Sequence, residues 1–311
     1  MISEQTQNKT FMTIQTKIIS SLLLAASIVL AAKTHAQNAY HSLPASFKNT
    51  HENVLLNDSV LSKVWEKLRA GDTVKVMQIG DSHVKGKALP QAVESTLKNY
   101  FPTLKFAFYG INGAYASTFC DNAKLRAIAA EKPELVIVSF GTNEAHAPNL
   151  STSVHTESLL RLTRGISELC PDATFLFTTP RGSFLKKAGK KYTVKRKNRR
   201  RTRRRMISVA NDALTAKVAR TIMTFCNDHN YAAWDLFGIG GGEQNACNNW
   251  GNSGLMNKDK IHYRVEGYTL QGTLLGEAMH KSFVGTLPAI EPTQPCPTDS
   301  VATSYLIPSK E

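Results

Sequence analysis

Ser82 lies in the stretch VMQIGDSHVKG (76–86), where a short apolar run ends abruptly and polar residues follow. Parallel α/β sheets place their ligand sites beyond the carboxyl ends of their strands. A tight turn into a helix here would expose the Ser82 hydroxyl near the helix N-terminus, a setting that suits a nucleophile. The alternative is an ordinary N-cap serine, because Asp and Ser are preferred at that position anyway.

Three later loops carry residues that would complete a nucleophilic site. KDKIHY spaces Asp259 and His262 by three, GTNEAH places Asn143 after an apolar strand, and GINGAYAST contains Gly113. A serine nucleophile needs a base, a group that orients the base, and donors for the oxyanion. His262, Asp259 and Asn143 are candidates for these roles, in that order. A glycine lets the backbone approach a substrate closely. The alternatives are a packed core histidine, an Asx turn and a turn glycine.

The elements that must position these residues alternate along the chain. Short apolar runs predict strands at 73–79, 105–110, 134–141, 174–180 and 231–237, and helical patterns occupy 59–71, 88–101, 122–132, 156–170, 207–229 and 265–283. Apolar strands separated by helices are typical of a parallel sheet covered on both faces. The sequence therefore predicts an α/β protein, a three-layer α/β/α sandwich with a five-stranded parallel sheet of flavodoxin-like type.

Together the motifs resemble the SGNH hydrolases, also called the GDSL family of esterases and lipases. The four family blocks correspond, in order, to Gly80–Asp81–Ser82, Gly113, Gly141–Thr142–Asn143 and Asp259-x-x-His262. The resemblance covers roughly residues 70–283. The G-x-S-x-G elbow of the α/β-hydrolases does not occur in the sequence.

The resemblance implies roles for the matched residues. Ser82 would attack an acyl carbonyl, His262 would remove its proton and Asp259 would orient the imidazole. The oxyanion would be held by the backbone N–H groups of Ser82 and Gly113 and by the Asn143 amide. His83 replaces the usual leucine, a departure common among bacterial carbohydrate and peptidoglycan O-acetylesterases of this type.

The function implied is a serine carboxylic ester hydrolase. It would remove short acyl groups, O-acetyl above all, from an envelope or dietary glycan or a small ester through an acyl-enzyme. A lysophospholipase, a thioesterase and an acyltransferase of the same fold are alternatives, as is a non-catalytic binder of anionic polymer. No cofactor is expected. The scattered histidines lack metal-ligand spacing, so no metal is expected either.

The net charge of +14 is concentrated in one segment. Residues 186–205 contain thirteen Lys and Arg and no acid, which leaves about +1 for the rest of the chain. The sequence thus indicates a near-neutral domain with a solvated, mobile basic insertion (183–205). It is either a tolerated charged loop or a contact for an anionic envelope polymer at 186–205. Nucleic acid is not expected, because Tyr192 is the only aromatic residue available there for base stacking.

The ends of the chain indicate export. Lys17 precedes the apolar run 18–32, and small residues follow, which is typical of a secretory signal (1–36), with an uncut anchor as the alternative. We therefore predict a linker (37–58), one domain (59–285) and a flexible tail (286–311), with no membrane span after cleavage. The expected location is the periplasm, the cell envelope or the medium. The number of cysteines is odd, five, and favours one disulfide with the remaining cysteines buried as free thiols.

Overall fold

A computed structural model describes residues 40–196 and 199–286, and a parallel sheet of five strands lies at its centre. The predicted signal segment (1–36) and almost all of the predicted tail (286–311) lie outside the described residues. Both assignments therefore remain predictions. Among the described residues, no helix combines the length and the apolar character that crossing a membrane requires.

The central sheet has the strand order β2-β1-β3-β4-β7, with all neighbours parallel. The strands of the described residues are β1 (Lys75–Gly80), β2 (Lys105–Gly110), β3 (Leu135–Ser139), β4 (Thr174–Thr178), β5 (Phe184–Arg196), β6 (Arg199–Ala210) and β7 (Ala232–Trp234). Gly80 pairs with Gly110 on one side and with Ser139 on the other. Strands β2, β1 and β3 therefore end at the same level, and the loops that follow them lie side by side.

Helices cover both faces of this sheet. The α-helices of the described residues are α1 (Ser62–Arg69), α2 (Ser82–Lys85), α3 (Ala88–Tyr100), α4 (Asn122–Ala130), α5 (Thr142–His146), α6 (Thr152–Leu169), α7 (Asp212–Asp228), α8 (Leu236–Ile239), α9 (Gly242–Asn252) and α10 (Val265–Gly285). Two 3₁₀ turns, Asp58–Leu61 and Ala116–Cys120, complete the list.

Alternate strand residues face the two helical layers, as a period of two requires. Val76 and Ile137 belong to the core built with α1, α3 and α10. Met77 and Val138 belong to the core built with α4, α6 and α7. This double coverage explains why the strands are apolar almost throughout. The predicted fold class, a three-layer α/β/α sandwich with a five-stranded parallel sheet, is confirmed.

Several elements differ from the sequence prediction. The helix predicted at 207–229 begins only at Asp212, because residues 207–210 still pair as part of β6. The last strand stops at Trp234, because the Asp235 carboxylate accepts a hydrogen bond from the Gly238 N–H at 3.1 Å and starts α8. Helix α9 was not predicted. Its Asn- and Gly-rich sequence has low helix propensity, and burial of Cys247 and Trp250 stabilises it instead.

The basic insertion forms a β-ribbon rather than a loop. Strands β5 and β6 pair antiparallel, with an irregularity between Ala188 and Lys191. We call residues 184–210 the basic hairpin. Residues 186–194, apart from the partly buried Gly189, and residues 202–208 are all exposed.

Residues 40–57, predicted as part of a linker, lie against the domain. Leu55 is buried, and Leu56 exchanges backbone hydrogen bonds with Ala233 of β7 at 2.8 and 3.0 Å. The His41 ring bonds to the Glu277 carboxylate at 2.6 Å. The segment thus protects one edge of the sheet, a position that otherwise exposes unpaired backbone groups.

The expected disulfide is not found among the described cysteines. Cys120, Cys170, Cys226 and Cys247 are all free thiols, and Cys296 lies outside the described residues. Burial raises the pKa of Cys226 well above its usual value. Cys226 therefore behaves as a small apolar core residue rather than as a reactive thiol.

Candidate active site

Ser82 is the first residue of α2, directly beyond the carboxyl end of β1. Asp81 caps this short helix, since its carboxylate accepts a hydrogen bond from the His83 N–H at 2.9 Å. The N-cap is therefore Asp81 rather than Ser82, and the Ser82 hydroxyl is left for another partner.

Two glycines allow the turn to be this tight. A Cβ atom on Gly80 would lie 2.6 Å from the Ser139 carbonyl oxygen, and one on Gly110 would lie 2.2 Å from the Lys85 nitrogen. Both neighbouring atoms belong to the backbone and cannot rotate away. Strand β2 can therefore pack directly against α2 only where a side chain is absent.

Ser82, His262 and Asp259 form a continuous hydrogen-bonded chain. The Ser82 Oγ atom lies 2.9 Å from His262 Nε2, and His262 Nδ1 lies 2.7 Å from Asp259 Oδ2. A ring nitrogen that faces a carboxylate carries the proton, so Nδ1 donates and Nε2 is left to accept from the serine hydroxyl. This arrangement is the one in which a histidine acts as a general base towards a serine.

Asp259 is held in its ionised form. Partial burial acts to raise its pKa, but hydrogen bonds from the Ile261 N–H, the His262 ring and the His262 N–H together hold the pKa below its usual value. The two backbone donors bind Oδ1 at 2.9 and 3.0 Å, which leaves Oδ2 for the imidazole. The carboxylate therefore accepts the hydrogen bond of His262 Nδ1 and fixes the orientation of the ring.

The turn that carries Asp259 and His262 is fixed by its own backbone and by one buried tyrosine. The Asn257 N–H donates to the His262 carbonyl at 2.8 Å, and Lys260 adopts a left-handed conformation with φ of 60°. The Tyr263 hydroxyl donates to the Gly182 carbonyl at 2.6 Å. The base is therefore anchored to the segment that follows β4 rather than to a helix of its own.

The predicted oxyanion residues lie on the loops beside Ser82. Gly113 is exposed and has a φ of 70°, which favours glycine. The Asn143 side-chain amide donates to the Ala114 carbonyl at 2.9 Å and reaches the Asp81 carboxylate at 3.4 Å. One side chain thus links the loop after β2, the loop after β3 and the residue next to Ser82.

Glu144 also connects the segment after β2 with the loop after β3. Its carboxylate accepts hydrogen bonds from the Ala116 and Gly141 N–H groups, each at 2.9 Å. Burial raises its pKa to about 7 against the opposing effect of these bonds. The sequence does not show this role, since the two N–H groups come from separate loops.

Arg181 and Tyr268 were not recognised from the sequence. The buried His83 ring bonds to the Tyr268 hydroxyl at 2.7 Å, and burial, with a smaller effect of Arg181, lowers the pKa of His83 well below its usual value. Burial raises the pKa of Asp81 to about 6, while the Arg181 charge acts in the opposite direction. Arg181 is only 4% exposed. Arg181 lies shortly before the basic segment 186–205, and nothing in the sequence distinguishes it from the arginines of that segment.

No metal centre is evident. Within residues 40–196 and 199–286, no three His, Cys, Asp or Glu side chains converge in a way that could hold a metal ion.

Fold and site together define a three-layer α/β/α protein with a hydrogen-bonded Ser-His-Asp chain at the carboxyl edge of its sheet. The solved structure of a peptidoglycan O-acetylesterase matches it with a TM-score of 0.57 and 15% sequence identity, over 74% of this chain and 96% of that chain. This likeness shows a shared fold.

Two other solved structures resemble the chain at lower TM-scores. They are an acetyl xylan esterase (0.47, 16% identity, 66% of this chain and 99% of that one) and a lipase/acylhydrolase from Enterococcus faecalis (0.45, 16% identity, 67% and 96%). No protein-family model matches the sequence, and no curated protein is similar enough to count as a relative.

Proposed function

We propose that the protein is a serine esterase that removes short acyl groups, chiefly O-acetyl groups, from a glycan. The observation that carries the proposal is the hydrogen-bonded chain Ser82–His262–Asp259, with distances of 2.9 and 2.7 Å, at the sheet edge where Asn143 and Gly113 also lie.

The first half of the reaction forms an acyl-enzyme. The Ser82 oxygen attacks the ester carbonyl carbon while His262 Nε2 takes the hydroxyl proton, and Asp259 stabilises the imidazolium. The negative charge on the carbonyl oxygen is held by the N–H groups of Ser82 and Gly113 and by the Asn143 amide. The contact of Asn143 with Asp81 is long at 3.4 Å, so the developing oxyanion can replace it.

Collapse of the tetrahedral intermediate completes the acyl-enzyme, and hydrolysis of the acyl-enzyme then regenerates the serine. The ester C–O bond breaks, and His262 returns its proton to the departing sugar oxygen. Water then gives a proton to His262 as its oxygen attacks the acyl carbon. The bond to Ser82 breaks, the serine recovers its proton, and the carboxylic acid leaves. An acyltransferase would differ only in using a second sugar hydroxyl in place of water.

A polymeric acetyl ester from the envelope or the diet is the substrate class that we favour. The His262 and Asp259 side chains are 37% and 45% exposed, which suits a group presented on a long chain. The peptidoglycan O-acetylesterase that shares the fold supports the same choice. The signal-like segment (1–36) supports export to the periplasm, the envelope or the medium.

A second candidate is a non-catalytic binder of anionic envelope polymer. The observation that favours it is the basic hairpin, which carries nearly all of the net charge of +14. Such a binder has no need of the Ser82–His262 hydrogen bond, which is why we place it second.

Hydrolysis of p-nitrophenyl acetate and p-nitrophenyl decanoate tests the proposal. We expect the acetate to turn over faster, and Ser82→Ala to lower kcat by at least about 10⁴-fold because the nucleophile is lost. Ser62→Ala is the matched control, since Ser62 is exposed at the start of α1.

Each other outcome has a definite meaning. Faster hydrolysis of the decanoate would favour a lysophospholipase or thioesterase. If the wild type were inert and a fluorophosphonate failed to label Ser82, the esterase proposal would be wrong and the binder would remain.

A further inference from the structure

The basic hairpin is a long ribbon of one charge sign. Residues 184–210 contain thirteen Lys and Arg and no Asp or Glu. A strand of 13 residues, the length of β5, extends for about 40 Å. The charges are therefore presented along a line rather than in a compact patch.

The pairing register places positive charge on both faces of the ribbon. Cross-strand partners share a face, and successive residues alternate between faces. One face carries Lys191 with its partner Arg204, and the opposite face carries Lys187, Arg203 and Arg205. A flat surface such as a membrane meets only one face of a ribbon, whereas a flexible chain can contact both.

Where the side chains of the basic hairpin are described, no acidic side chain of the protein is paired with them. Among the described residues, no ion pair includes a lysine or arginine of the basic hairpin. Like charges such as Lys191 and Arg204 stand directly opposite each other, which destabilises the pairing of two strands. A polyanion on the ribbon would remove that repulsion.

The two ends of the hairpin are joined to the loops of the candidate active site. The Phe184 N–H donates to the Lys260 carbonyl at 2.9 Å, next to Asp259. At the other end, the Asn211 side-chain amide donates to the Ala145 carbonyl at 2.9 Å, two residues beyond Asn143. A chain bound along the ribbon is therefore led towards the edge that carries Ser82.

We infer that the basic hairpin binds a linear glycan bearing carboxylate groups and presents it to the Ser82 site. The choice of a glycan rests on the proposed function. Arginines form paired hydrogen bonds with carboxylates, and exposed apolar groups such as Tyr192, 48% exposed beside Arg203, offer contact to sugar rings. A single aromatic side chain provides little base stacking, which disfavours single-stranded nucleic acid.

Direct binding tests this inference independently of catalysis. The dissociation constant of the full chain for polygalacturonate is measured by calorimetry at several salt concentrations, with neutral amylose as the uncharged comparison. We expect binding to polygalacturonate only, weakening as salt rises.

The charge-reversal variant R203E/R204E/R205E should weaken that binding roughly tenfold to a hundredfold. The matched control K105E/R126E/K132E reverses three exposed charges on β2, α4 and the turn before β3, and should retain binding. Circular dichroism confirms that both variants fold.

The inference is overturned by equal loss in the two variants, by no binding to polygalacturonate, or by tighter binding to oligo(dT), duplex DNA, polyphosphate or phosphatidylglycerol vesicles. Since no turnover is measured, an inert Ser82 would leave this result unaffected. The two proposals can therefore fail separately.

Discussion

At the residue scale, two hydrogen bonds define the surroundings of the Ser82 hydroxyl. Its hydroxyl is already bonded to His262 Nε2 at 2.9 Å, and the proton on the far side of the ring is held by Asp259 at 2.7 Å. The serine can therefore lose its proton without a prior change of tautomer. Sequence spacing alone indicates the Asp259–His262 pair, because both residues lie within one turn.

Asn143 is the residue whose removal should affect the transition state most selectively. We expect Asn143→Ala to lower kcat on p-nitrophenyl acetate about 100- to 1,000-fold with little change in KM, because an oxyanion donor acts on charge that develops only during attack. Asn112→Ala, an exposed asparagine in the neighbouring loop, is the control. A loss of less than tenfold in Asn143→Ala would assign the oxyanion to other donors.

Residues brought together from separate elements are where sequence analysis was incomplete. Asn143 follows an apolar strand, which is visible in the sequence, but its bond to Ala114 depends on β2 and β3 ending at the same level. Arg181 lies shortly before the basic segment, yet it is buried, and its charge acts to lower the pKa of Asp81. Burial of a charged group is set by neighbours that are distant in the chain, so local patterns do not reveal it.

At the scale of elements, Glu144 joins the loop after β2 to the loop after β3. The pKa of its carboxyl is raised to about 7 by burial, whereas an unfolded glutamate titrates near 4.5. Between pH 4.5 and 7, the Glu144 carboxyl is therefore protonated in the folded state but ionised in the unfolded state. The contribution of Glu144 to the free energy of unfolding consequently falls as the pH rises through this range.

Glu144→Gln isolates that contribution. Relative to the wild type, we expect the free energy of unfolding of the variant to increase as the pH is raised from 5 to 8, measured by urea denaturation at each pH. Glu131→Gln, at an exposed glutamate after α4, should show no such trend. A constant difference between Glu144→Gln and the wild type would show that Glu144 titrates as an ordinary carboxyl.

Strong local patterns predicted the sheet and most helices, whereas tertiary contacts determined the remaining elements. The apolar runs at β1 to β4 are unambiguous because both faces of the sheet are covered. Helix α9 depends on the burial of Trp250, and the start of α7 depends on strand pairing at residues 207–210. Neither cause is local in the chain.

At the scale of the whole molecule, the charge and the core belong to separate parts. Among the described residues of the basic hairpin, only Phe184 packs against a core cluster. The sequence-based division into a near-neutral domain and a basic insertion stays a prediction. The pairing of the insertion into strands was not apparent, since like charges opposite each other disfavour it.

The hairpin should therefore be removable. Leu185 and Val209 are direct partners, so an Asn-Gly turn can replace residues 186–208. We expect retention on a cation exchanger to be lost, because the net charge falls to about +1, and the thermal midpoint to stay within roughly 5 °C of the wild type. Failure of this variant to fold would show that the ribbon is part of the core.

The bond between Ser82 and His262 also has a consequence for synthesis. The two residues are 180 positions apart, and almost the entire sheet lies between them in the chain. A growing polypeptide contains its serine long before the histidine has been made. Under the proposed function, the chain would therefore gain its base only after His262 has been translated and the turn that carries it lies next to Ser82.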